Sequence, residues 1–268
     1  MATKNRKKVK KKTKSRKSTS FFTAKRVIAL VLVLALAVTG IFFAVRSHRT
    51  RTAIPYRFGK EKVYGIDVSS HNGKVDWSQA KKEIDFAFIR VGCRGYDTGD
   101  IFLDGRARTN MKGAEKADIP FGVYIYSQAV SEAEAIEEAK FLLKNIRGYK
   151  VELPLVFDFE YPTKDGKQIG RLADADLNRR ERTNIINAFL KTVKDAGYTP
   201  ALYASSYIYR SYINVRSLEE GTVIWVADYN KKVTYGGHYD IWQFSEKGKC
   251  SGVSSKYVDT NYWFTNEE

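Results

Sequence analysis

Between Val63 and Asn261 eight short runs of β-forming residues follow one another, at 63–69, 86–92, 120–126, 154–160, 201–205, 223–229, 240–244 and 256–261. Helical patterns fall at about 76–83, 103–117, 131–147 and 174–196, so the first five units alternate strand with helix. Asp76 can cap the first helix, and Ser131 with Glu134 reads as a capping box for the third. Gly148 and Gly197 stand where the third and fourth should end. The last three runs are joined by about ten residues each, too few for full helices. Alternation of this kind favours a parallel sheet, and eight such strands can close into a barrel whose reactive face is the C-terminal rim.

The fourth run, PLVFDFE at 154–160, ends in two acids. Successive strand side chains alternate between faces. Leu155, Phe157 and Phe159 therefore share one face and can pack under helices, while Val156, Asp158 and Glu160 share the other. The Cα atoms of the two acids should lie roughly 6.6 Å apart, two strand rises. Crowded carboxylates raise the pKa of one partner, so one can stay protonated beside an ionised neighbour. That is equipment for cleaving a glycosidic bond. The bland alternative is a pair of acids solvated at a strand end.

The same arrangement recurs at Asp67 in the first run and Asp259 in the last, so Asp67, Asp158, Glu160 and Asp259 are expected to converge at one rim. Arg90 shares a face with Phe86 and Phe88; an arginine there is costly unless paired, and an ion pair with an acid of the site is expected. Tyr126, Tyr203, Trp225 and Tyr229 lie near strand ends, where rings can cover sugar C–H groups or simply fill the core. Asp228 and Gln243 can reach sugar hydroxyls or support the rim. Cys93 and Cys250 both fall near strand ends, and either a bridge or two free thiols is compatible with that. There is no C-x-x-C and the three histidines are scattered, which argues against zinc. No cofactor is implied.

Net charge is +16, but residues 1–52 hold 15 of the 46 Lys and Arg and no acid, leaving 31 basic against 30 acidic residues in the remainder. The basicity belongs to the tail, so no nucleic-acid partner is expected for the domain. Residues 1–26 read as a basic cytoplasmic tail. Residues 27–45 form a charge-free apolar run of 19, roughly 28 Å as a helix, close to the thickness of a bilayer core. Twelve Lys and Arg precede it, which favours a single-pass signal anchor with the N-terminus inside. Cleavage near Ala35-Leu36-Ala37, followed by secretion, is the alternative. Residues 46–62 make a linker, and 63–268 the exported domain.

At GIDVS (65–69), PLVFDFE (154–160), WVADY (225–229), WQFS (242–245) and VDTN (258–261) the chain resembles the glycoside hydrolase family 25 lysozymes, or N-acetylmuramidases. It departs at Ile125, where many members carry a histidine. The resemblance implies a distorted TIM-like (β/α)5β3 barrel. It also implies hydrolysis of the β-1,4 bond between N-acetylmuramic acid and N-acetylglucosamine in peptidoglycan glycan strands. Glu160 would then be the general acid, Asp158 would orient the 2-acetamido group that attacks C1, and Asp67 and Asp259 would hold the site's charge. A non-catalytic wall-binding module, or a barrel hydrolase of another N-acetylated glycan, are the competing readings.

Overall fold

The structure, a computed structural model, describes residues 60–265 and Ile28. The tail, the linker up to residue 59 and the apolar run 27–45, apart from Ile28, lie outside the described residues. Among the described residues no helix is long and apolar enough to cross a membrane.

From β1 (Lys62–Val68) the chain makes one 3-10 turn at Ser70–Asn72 and reaches the four-residue α1 (Trp77–Ala80). β2 (Phe86–Arg94) is followed by the short β3 (Ile101–Leu103), which folds back on it, and by α2 (Ala107–Lys116). Next come β4 (Phe121–Ser127), α3 (Glu132–Asn145) and β5 (Leu155–Phe159). The two-residue strands β6 (Thr163–Lys164) and β7 (Lys167–Gln168) form a hairpin before α4 (Arg171–Asp174) and α5 (Arg179–Asp195). β8 (Pro200–Ser205), α6 (Ser206–Ser211), β9 (Val223–Ala227), β10 (Ile241–Gly248) and β11 (Val258–Phe264) complete the fold.

Eight of these strands close a barrel. β1, β2, β4, β5, β8, β9 and β10 pair in that order, all parallel. β11 then closes the ring between β10 and β1, antiparallel to both. An all-parallel ring is therefore the one global expectation that fails. The reversal has a consequence for the site: Asp259, near the start of β11, faces Asp67, near the end of β1, as a Cα partner.

The two faces of each strand do what their alternation predicts. Outward residues such as Ile66, Leu155, Phe157 and Phe159 join a core with the helices, where Phe157 meets Phe189 of α5 at 4.8 Å between ring centroids. Inward residues make a second core inside the ring: Phe86, Phe88, Val156, Trp225 and Trp263. Phe88 lies against Trp225 at 4.5 Å, and Phe86 meets Trp263 edge-on at 5.6 Å. Two glycines make room for these rings. A Cβ on Gly65 would fall 2.6 Å from the Phe86 ring, and one on Gly122 would fall 2.3 Å from Phe88. Burying each aromatic is worth roughly 2–3 kcal/mol, and together they plug the lower barrel. The upper part is left to polar side chains.

The helices are shorter than their patterns. β3 takes residues 101–103 into the sheet, so α2 starts later than expected. Asp176 adopts φ 43°, which separates α4 from α5, and Asn178 opens α5 with a capping box to Glu181. At Ser131 only half of the expected box forms. Its hydroxyl accepts from Glu134 N, but the Glu134 carboxylate goes to Val130 N and to Arg171. Cys93 and Cys250 are free thiols.

Candidate active site

On several strands the inward face carries an apolar residue low in the barrel and a polar one at the rim. On β11 this reads Trp263, Asn261, Asp259 from floor to mouth, because the strand runs downward. On β5 it reads Val156, Asp158, with Glu160 one residue beyond the strand. On β2 it reads Phe88, Arg90. The mouth is a cleft of about 330 Å³ whose wall includes Asp67, Asp158, Glu160 and Asp259 together. All four acids expected to meet, from three strands, do line one space.

Asp67 is held from two sides. Its Oδ2 accepts from Gln243 Nε2 at 2.9 Å and from Asn261 Nδ2 at 2.8 Å. Trp225 Nε1 fixes the other end of the Asn261 amide at 2.9 Å. Tyr203 and Tyr229 hydroxyls both donate to Gln243 Oε1, at 2.8 and 2.7 Å. This sets the Gln243 amide with its N–H toward Asp67, so Asp67 serves as an acceptor. Burial pushes its carboxyl up to about 6, against the pull of the two amide donors. Among the described residues no such donor reaches Asp259; burial, then the charges of Asp67 and Glu160, push it up to about 8.

Asp158 and Glu160 line the cleft together. Burial first, and then the neighbouring Glu160 and Asp67, hold Asp158 well above the usual carboxylate range. Burial also raises Glu160. Crowding two buried carboxyls in this way favours the protonated form of one of them. Asp158 Oδ1 is buried and has no hydrogen-bond partner among the described residues.

The remaining candidates divide by exposure. Tyr126 lines the cleft half-buried and Tyr229 stands 52% exposed at its edge, so both present ring surface. Trp225 and Tyr203 form its floor, 2% and 8% exposed, packed against each other at 4.9 Å. Gln243 is enclosed as the hub just described. Asp228 sits in an adjoining groove, but its carboxylate is already taken by Ser206, Asn230 and Thr234, which hold it far below the ordinary range despite burial. It anchors the 228–234 loop.

Arg90 corrects an expectation. It lines the cleft, but its ion pair at 2.8 Å is with Asp104, just after β3, and with none of the four acids. Asp104 also accepts from Ser70 N and Arg106 N. The short β3 had no clear signal in the sequence, so the partner it delivers could not be named. His71, Asn72 and Glu246 also line the cleft and were missed. Glu246 falls on the irregular, register-shifted half of β10, where alternation gives no guide to facing. Buried Gln128 was missed too: its Nε2 donates to the Glu160 carbonyl at 2.8 Å and so ties the end of β5 to the end of β4.

A closed strand–helix barrel with clustered carboxyls at its mouth is the form of a barrel glycosidase. The chain belongs to the glycosyl hydrolases family 25, whose profile matches residues 66–253. Among solved structures it is similar to a family 25 glycosyl hydrolase from Bacillus anthracis, at 26% identity and a TM-score of 0.61, covering 76% of this chain and 90% of that one. It also resembles the modular autolysin LytC from Streptococcus pneumoniae, solved in complex with a synthetic peptidoglycan ligand. That match has 24% identity and a TM-score of 0.64 over 76% of this chain, and the chain spans about half, 47%, of LytC. The uncharacterized protein YegX of Escherichia coli K12 is 26% identical over 209 residues, 74% of this chain and 68% of YegX.

Proposed function

We propose that this protein is a lysozyme that hydrolyses the β-1,4 bond between N-acetylmuramic acid and N-acetylglucosamine in peptidoglycan, with retention. The observation that carries this is the cleft that gathers Asp158 and Glu160 with Asp67 and Asp259, and in it the unpartnered Asp158 oxygen. In the first step the acetamido carbonyl oxygen of the muramic acid attacks its own C1. The C1–O bond to the leaving sugar breaks, and Glu160 gives its proton to the departing oxygen. Asp158 Oδ1 accepts from the acetamido N–H and stabilises the positive oxazolinium ring. Water then attacks C1, Glu160 takes back a proton, and the ring reopens. Two inversions at C1 give net retention. Asp67, fixed by its two amide donors, and Asp259 set the charge around this exchange.

The test is digestion of purified peptidoglycan with mass analysis of the products. Soluble fragments ending in reducing N-acetylmuramic acid are expected, and Glu160→Gln should slow their release by about 10²-fold or more. Release from chitin but not peptidoglycan would move the assignment to another N-acetylated glycan. A Glu160→Gln variant with undiminished function would reduce the domain to a wall-binding module.

We also infer a single-pass anchor at residues 27–45 with the barrel outside the membrane. Its support is the length of the charge-free run and the twelve Lys and Arg before it. The anionic inner leaflet would hold that basic tail. Cell fractionation tests it: membrane-bound protein of full length is expected, and protein shed into the medium would mean cleavage.

A further inference from the structure

The ladder between β4 and β5 ends with Ser127 opposite Phe159, so Gln128 and Glu160 stand one residue past it on neighbouring strands. A side chain takes over there. Gln128 Nε2 donates to the Glu160 carbonyl at 2.8 Å and to the Ser127 carbonyl at 2.8 Å. Gln128 is fully buried. Beyond Glu160 the chain leaves the barrel for the β6–β7 hairpin, whose base is closed by Ile169 N donating to the Pro162 carbonyl at 2.9 Å. It returns at Arg171, the first residue of α4.

Arg171 ends that excursion on the same residue. Its Nη1 donates to the Gln128 carbonyl at 2.9 Å. Gln128 thus grips both ends of the segment 160–171, the acid end through its side chain and the returning end through its backbone. Arg171 is itself fixed. Nη1 and Nη2 form a two-point fork on the Glu134 carboxylate at 2.8 and 2.7 Å, and that carboxylate also accepts from Val130 N at 2.8 Å. Arg171 N donates to the Tyr96 carbonyl at 2.9 Å. Arg94, buried and paired with Glu138 at 2.7 Å, donates to the Glu134 carbonyl at 3.1 Å and braces the fork from β2. The two side chains of the fork are 23% and 25% exposed. An ion pair that open to water adds little to stability, but a two-point fork fixes direction as well as distance.

We propose that Arg171 is a positioning residue for the general acid: its fork with Glu134 holds Gln128, and Gln128 holds the Glu160 backbone so that the carboxyl stays on the cleft. The proposal rests on the lysozyme reading, in which Glu160 gives the proton. A displacement of about 1 Å in a reacting group can cost about 10²-fold in rate, so a clamp one residue from the acid acts on kcat.

The test measures kcat and KM on soluble peptidoglycan fragments for the full chain, Arg171→Ala, Gln128→Leu and the double variant. Arg171→Ala should lower kcat about tenfold and leave KM within about twofold. In the Gln128→Leu background it should lower kcat hardly further, because both residues act on one carbonyl. Lys194→Gln is the control. It removes an ion pair to Glu219 of similar exposure, 35% and 28%, and should leave kcat unchanged. Where Arg171→Ala does not fold, Arg171→Lys, which keeps one donor, takes its place in the same cycle with a loss of about threefold. Losses that multiply in the double variant, a rise in KM in place of lost kcat, or an equal fall in Lys194→Gln overturn the proposal. Wild type inactive on the fragments would defeat the lysozyme reading, and the positioning role with it. An active wild type with kcat unchanged in the Arg171 variant defeats the positioning role alone.

Discussion

Asp259→Asn should make the protein more stable at pH 8 and hardly change it at pH 4. The Asp259 carboxyl is half-buried beside Asp67 and Glu160 and is pushed up to about 8 from an ordinary 3.8. The sign follows from linkage. Below about 4 the group is protonated in both folded and unfolded chains and contributes nothing. As pH rises toward 8 the unfolded chain ionises while the folded chain does not, and stability is lost. A displacement of about four pH units corresponds to a ceiling of roughly 5–6 kcal/mol. Part of that is shared with Asp67 and Glu160, and a buried amide also costs something to desolvate. The expected net gain is therefore about 1–3 kcal/mol at pH 8, or about 2–12 °C in Tm for a domain of this size. Thermal unfolding of both proteins at the two pH values measures it. An equal gain at both pH values, or a loss at pH 8, would refute the claim that carboxylate crowding sets the energetics of this mouth.

Three further outcomes follow from single contacts. Gln128→Leu removes the donor to the Glu160 carbonyl, leaving a buried acceptor unpaired; kcat should fall about tenfold and stability by about 1–3 kcal/mol, read by steady-state kinetics and urea unfolding. Gly122→Ala would place a methyl 2.3 Å from the Phe88 ring and 2.6 Å from the Pro154 carbonyl; overpacking against backbone should cost about 1–3 kcal/mol, seen as a lower denaturation midpoint. Asp228→Ala strips the 228–234 loop of its acceptor and should cost about 2–3 kcal/mol at pH 7. Because the Asp228 pKa is depressed, that cost should shrink as pH falls below about 4, the unfolded value, and a pH series of Tm checks it.

Most of what places the catalytic acids was legible from strand alternation alone. Asp67, Asp158, Glu160 and Arg90 face inward because their neighbours two residues back are Gly65, Val156, Asp158 and Phe88, all interior positions. The roles of individual side chains were less legible. Trp225, Gln243 and Asp228 carry hydrogen-bonding groups near strand ends, and sequence cannot say whether those groups meet substrate or one another. The structure pairs them internally, through Asn261, Asp67 and the 228–234 loop. Asp104, the partner of Arg90, depended on a three-residue strand with no periodic signal of its own.

The direction of the last strand is the one global feature that alternation misses, yet chain length does carry it. Parallel neighbours need a crossover of about a dozen residues or more, whereas antiparallel neighbours need only a turn. Between β9 and β10 the chain has residues 228–240, thirteen of them, and the pair is parallel. Between β10 and β11 it has residues 249–257, only nine, and the pair is antiparallel. The chemistry turns on that difference. Asp259 is the second residue of β11, so in a parallel strand it would sit at the N-terminal rim, a barrel's height from Asp67. Reversal brings it to the mouth as the direct partner of Asp67, and puts Asn261 one step below, where it can donate to the same carboxylate. A short loop near the end of the chain thus delivers both the fourth acid and a donor that keeps Asp67 an acceptor.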